Sequence, residues 1–198
     1  MIRRRIRPTR RQRGCELHLP EEERQLLEQL PNQLAAAIRR LDFNQPLPDS
    51  LRRLFPVAYS RDEDAQRTYA ESTRGELVEL HLASLDALSR HARSRRLDEQ
   101  TMTAWLHALT DLRLVLGTVL GVTDDEVGVP EGAPQSEVII YQYLTLLEAE
   151  LIDVMEQWLP EPLPGADDSV PDDPWGEPLG DLRWDGTPRP EWPPRPEW

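Results

Sequence analysis

Lysine is missing from this chain: all 23 cationic residues are arginines. Such usage reads first as a GC-rich coding bias. Its physical consequence is that every positive charge is a planar fork able to grip a carboxylate in bidentate fashion. Cysteine is almost missing too. Cys15 stands alone, so no internal disulfide can close and four-cysteine or paired-cysteine zinc sites are excluded. That usage suits a reducing cytoplasm. No apolar run approaches the roughly 20 residues a membrane span needs. The basic residues after Met1 are not followed by the apolar stretch of a secretory signal. The expectation is a soluble, cytoplasmic protein.

Catalytic signatures are equally scarce. There is no Gly-x-Ser-x-Gly, no phosphate loop, no Gly-x-Gly-x-x-Gly and no His-Glu-x-x-His. His18, His81, His91 and His107 show no i, i+3 or i, i+4 spacing among themselves that would build a metal site. No catalytic residue, cofactor or metal is therefore expected, and the chain reads as a non-enzyme. A net charge of −13 argues against broad nucleic-acid affinity, because phosphate binding needs a cationic surface.

What is present is strongly segregated. Residues 1–13 hold seven arginines and no acid, which leaves 16 arginines against 36 acids in the remainder. Residues 1–19 read either as a disordered basic arm or as a small β-hairpin. The hairpin would have strands Ile2–Arg7 and Cys15–Leu19, with Gly14 near the turn and Cys15, Leu17 and Leu19 on one face at period two. Residues 160–198 hold eleven of the 19 prolines and ten acids. That composition cannot bury enough apolar surface to offset ordering entropy, so a disordered tail is expected. The tail nevertheless carries Trp175, Trp184, Trp192 and Trp198, and Arg-Pro-Glu-Trp occurs twice (189–192 and 195–198).

Residues 20–159 carry the helical period. Pro20 followed by Glu21, Glu22 and Glu23 makes a good helix start, and Leu26, Leu27, Leu30, Leu34, Ile38 and Leu41 continue it, with Pro31 expected to kink it. A short helix fits Asp49–Leu54. A long one runs from about Asp62 to Arg95, with an inner stripe of Thr73, Leu77, Leu80, His81, Ser84, Leu85 and Leu88. Asp98 is a plausible cap for the next, which ends near Gly121. The last opens at Pro134 and continues to about Leu159. No strand pair is expected outside residues 1–19. The fold class is all-α: a bundle of four to five helices.

Within the most apolar helix, Met102, Trp105, Leu106, Leu109, Leu112, Leu116 and Leu120 share one face at about 100° per residue. Arg113 falls in that arc, while Asp111 points to the other side. A guanidinium there needs a partner or a route to water. Glu148, at the edge of the last helix's stripe, is the expected partner of a structural ion pair. His81 reads as a satisfied core histidine. Cys15 follows the arginine cluster, and positive neighbours lower a thiol pKa, which makes it a redox candidate. Arg3, Arg4 and Arg5 and the four tail tryptophans are candidate partner contacts, tryptophan being a frequent anchor of protein interfaces.

Three separated stretches, taken in order, carry a resemblance. They are Leu51-Arg52-Arg53-Leu54-Phe55-Pro56-Val57-Ala58-Tyr59, then Trp105 with Asp111-Leu112-Arg113-Leu114-Val115-Leu116-Gly117, and Tyr141-Gln142-Tyr143-Leu144-Thr145-Leu146-Leu147. Over roughly residues 1–159 the chain resembles the actinobacterial oxidative-stress regulator (AosR) family, helical proteins encoded near the ClpS adaptor. The resemblance implies a cytoplasmic regulator acting on transcription through a protein partner, a sigma factor or RNA polymerase. It also implies redox sensing by a pair of cysteines, of which this chain has one. Rival readings are an adaptor in regulated proteolysis, suggested by that gene neighbourhood, and direct DNA binding through the arginine-rich arm.

Overall fold

Pro20 with three acids behind it opens the first long element as expected. Pro20 is the N-cap of α1, Glu21–Arg39, and the acids of the first turn lie at the positive end of its dipole. The computed structural model describes residues 4–9, 13–56, 63–122, 130 and 132–158, all within the unit Met1–Leu159. Residues 160–198 and Val57–Ala58–Tyr59 of the first family-like stretch lie outside the described residues. α1 runs on through Pro31. Close to the proline, the Glu28 carbonyl accepts from Asn32 Nδ2 at 2.7 Å and from Ser89 Oγ at 3.2 Å.

A 3₁₀ helix, Asp49–Leu54, follows. Then come α2 (Glu63–His91), α3 (Glu99–Val119) and α4 (Gln135–Glu156). The Asp98 side chain accepts from the Thr101 amide at 2.8 Å and so caps α3. Gly121, at φ +73°, carries the chain out of its far end, where the Val122 amide closes on the Gly117 carbonyl. α1 packs on α2, α2 on α3 and α3 on α4, and the 3₁₀ helix also lies on α3. The protein is thus mostly helical.

The small sheet differs from expectation. Its strands are β1 (Ile6–Pro8), β2 (Gly14–Leu17) and β3 (Arg96–Asp98), in the order β1-β2-β3 and antiparallel throughout. Ile6 pairs with Leu17 and Cys15 with Leu97. The hairpin therefore exists, but its first strand sits later than Ile2–Arg7. A strand outside residues 1–19 was not expected. β3 has three residues and a single buried one, Leu97, too short for a period-two signal. α2 also ends earlier than expected, at His91 rather than Arg95. Gly14 is required by close approach, since a Cβ there would lie 2.6 Å from the Leu97 carbonyl oxygen.

The core gathers Ile6, Cys15 and Leu17 from the sheet with Leu27, Leu88, Trp105, Leu109, Leu147 and Leu151 from the helices. Leu80, placed on the inner stripe of α2, is 50% exposed. Among the described residues no helix is long and apolar enough to cross a membrane.

Candidate functional site

α3 is the middle rod of the bundle, and its polar residues are held on two sides. Toward α4, Arg113 pairs with Glu148. The same carboxylate accepts from Thr110 Oγ1 at 2.6 Å, and the guanidinium carbon stands 5.7 Å from the Tyr141 ring centroid. Glu148 has 10% of its side-chain surface exposed and Arg113 has 29%. The pair is thus half-buried on the arginine side, where Nε is buried with no hydrogen-bond partner among the described residues.

Asp111 does not point away from the core. It is buried, and its Oδ2 lies 2.7 Å from His81 Nδ1. The single-face wheel fails because α3 packs on both α2 and α4. His81 Nε2 faces the Leu54 carbonyl at 3.1 Å, so both ring nitrogens look at acceptors and only the doubly protonated ring donates to both. Burial alone would lower this histidine's pKa. The hydrogen bond and charge of Asp111, with the Leu54 carbonyl, outweigh that and raise it. Phe55 meets the ring edge-on at 5.6 Å.

A second polar cluster fixes the N-terminal strand. The backbone N–H groups of Arg5 and Ile6 both donate to Glu150 Oε2 at 2.8 Å. Arg5 Nε donates to Glu23 at 2.8 and 2.9 Å, and Tyr143 Oη donates to the same carboxylate at 3.1 Å. Burial, and then the Glu23 charge, push the Tyr143 hydroxyl well above its ordinary value. Arg4 pairs with Asp153. Two of the three arginines singled out as partner contacts are therefore engaged within the molecule. Arg3 and the tryptophans 175, 184, 192 and 198 lie outside the described residues.

Cys15 is fully buried, and burial pushes its thiol up to about 12. The lowering anticipated from the neighbouring arginines does not occur. Cys15 lies in the middle strand, opposite Leu97 on one side and Pro8 on the other, and desolvation dominates there. Among the described residues no group of three or more His, Cys, Asp or Glu is placed to hold a metal ion.

One concave feature opens beside the core. Between α1, the 3₁₀ helix and α3 lies an apolar cleft of about 440 Å³. Leu34, Leu51 and Leu144 form buried parts of its lining, Val115 and Leu116 are half-buried, and Val119 at its edge is 61% exposed. The cleft was not anticipated. Its only signal was that the apolar residues of α1 and α3 span wider arcs than one core contact requires.

These features fall within the match to known proteins. The family described as "Domain of unknown function (DUF2017)" matches residues 3–155. The chain belongs to the DUF2017 family. Within reach of it is the Mycobacterium leprae (strain TN) protein called "Putative oxidative stress regulator AosR", 30% identical over 139 residues, or 61% of this chain. The match spans 64% of that protein's length. No solved structure matches the chain. The family match takes in both ion pairs, the Glu150 cradle and the cleft, and stops before residues 160–198.

Proposed function

We propose that this DUF2017 member is a non-enzymatic regulator that works by contact with another protein, in the service of a transcriptional response to oxidative stress. The observation that carries the reading is its kinship over 139 residues with a protein named for stress regulation. The partner is a sigma factor or RNA polymerase, as the three family-like stretches imply.

Two features favour protein contact over direct DNA binding. Arg4 and Arg5 already hold Asp153 and Glu23, which withdraws them from phosphate, and the chain as a whole carries −13. Cys15 serves as a core residue in this reading, and the stress signal enters elsewhere. Its pKa of about 12 leaves almost no thiolate at neutral pH to meet an oxidant.

The test is affinity purification of the tagged full chain from an actinobacterial host, with and without peroxide. Recovery of polymerase subunits or a sigma factor is expected. Recovery of a protease chaperone or ClpS in their place would move the protein to regulated proteolysis and refute the reading.

A further inference from the structure

We propose that the cleft between α1 and α3 is the seat of one amphipathic helix from a partner protein, apolar along its inner face and acidic along its flanks. This rests on reading the chain as a regulator that binds protein.

The sequence spacing carries the argument first. On α1 the cleft is lined at positions 30, 33, 34, 37, 40 and 41; on α3 at 112, 115, 116 and 119. Each set follows i, i+3, i+4, i+7, the pattern with which a helix faces another helix. Both rods thus turn a helix-packing stripe toward the same groove, where Leu51 of the 3₁₀ helix and Leu144 of α4 also line it, and the end at residues 115–119 stays open, Val119 being 61% exposed. The stripe on α1 spans about 16 Å and that on α3 about 10 Å at 1.5 Å per residue. Two to three helical turns fit such a groove, with anchors at i, i+3, i+4 and i+7.

Charge selects the kind of helix. Arg40 stands on the cleft wall and is exposed. Among the described residues it takes no carboxylate, as Arg7, Arg24 and Arg95 take none, whereas Arg13, Arg52, Arg90, Arg93 and Arg96 each hold one. An exposed arginine with no carboxylate of its own, on the wall of an apolar groove, complements an acidic flank. It contributes steering and orientation, while the leucines and valines supply the contact area.

The probe is a fluorescein-labelled helical peptide with leucines at i, i+3, i+4 and i+7 and flanking glutamates, and a twin with lysine for every glutamate. Binding to the full chain is followed by fluorescence anisotropy. The glutamate peptide should bind at least about tenfold tighter than its twin at low salt. Arg40→Glu should shrink or reverse that gap, and Val119→Glu should weaken binding at least about tenfold. Val119 is exposed enough for its variant to fold, which circular dichroism checks, and the comparison of twins on the unaltered chain needs no variant at all.

Equal binding of the twins, no binding of either, or undiminished binding by Val119→Glu would overturn the proposal. So would a homodimer that Val119→Glu dissolves, since the occupant would then be a second copy. Polymerase or sigma recovery that survives Val119→Glu, with peptide binding absent, would sink the cleft and leave the functional reading standing. Peptide binding as expected, with a protease chaperone recovered instead, would do the reverse.

Discussion

Replacing Arg113 by methionine removes one end of the link between α3 and α4 while keeping most of the apolar stem. Glu148, with only a tenth of its side-chain surface exposed, would keep a single neutral partner, Thr110. Stranding one member of a buried pair typically costs about 3–5 kcal/mol. Because the arginine side chain is 29% exposed, water can partly take its place, and about 2–3 kcal/mol is the reasonable figure here. For a folded unit of this size that lowers Tm by about 4–12 °C. Glu148→Leu should cost less, about 1–2 kcal/mol, since the freed guanidinium keeps the Tyr141 face and its own route to water. The double variant Arg113→Met with Glu148→Leu should recover most of the loss, because two apolar side chains leave no charge uncompensated. Urea melts of the four proteins at pH 7, followed by circular dichroism, give the coupling energy directly, and about 2 kcal/mol is expected. Losses that add to within about 0.5 kcal/mol would mean the two charges do not support one another, whatever their proximity.

Glu150→Ala leaves the amides of Arg5 and Ile6 without their acceptor and should cost about 2–3 kcal/mol, with trypsin cutting after Arg5 much faster; unchanged digestion would deny the cradle its role. For His81 the folded-state pKa is raised, so protonation stabilises. That contribution is whole below pH about 6.5, the ordinary histidine value, and is lost as pH rises through the folded-state value. The stability gap between the unaltered chain and His81→Gln should therefore narrow with rising pH, and a gap that widened would reverse the assignment of Asp111 as its anionic partner. Cys15 should react with iodoacetamide at pH 7.5 roughly 10³-fold slower than free cysteine, given a pKa of about 12 against an ordinary 8.5; a rate within about tenfold of free cysteine would expose a far more open sheet.

Element existence was readable because caps and periods agree. Pro20 with its acids, Asp98 before α3 and Pro134 before α4 mark helix starts by local chemistry alone, and each does so in the fold. The 3₁₀ helix fell on Asp49–Leu54 for the same reason, between Pro48 and Pro56. Arg113 and Glu148 were readable as exceptions, each a charge sitting on or beside an apolar stripe. The rest required knowing which rod is central. Asp111 was assigned to the far side because a wheel assumes one buried face, whereas α3 has two. Cys15 was judged by its sequence neighbours, the arginines, although its surroundings are set by strands that arrive from residues 6–8 and 96–98. Tyr143 meets Glu23, and Glu150 meets Arg5, across more than a hundred residues of sequence, and no local pattern announces that. The cleft has no signature of its own in the sequence, because an apolar stripe bordering a groove has the same spelling as one facing a core.

α3 is clasped on opposite flanks by charge-assisted joints, at Asp111 toward one neighbour and at Arg113 toward the other, two residues apart. A rod held this way cannot roll about its own axis without breaking one grip or the other. Anything lodged against its Val115–Val119 end would therefore press on a fixed wall. Such a wall favours guests whose shape already fits and gives little help to those that need it to yield.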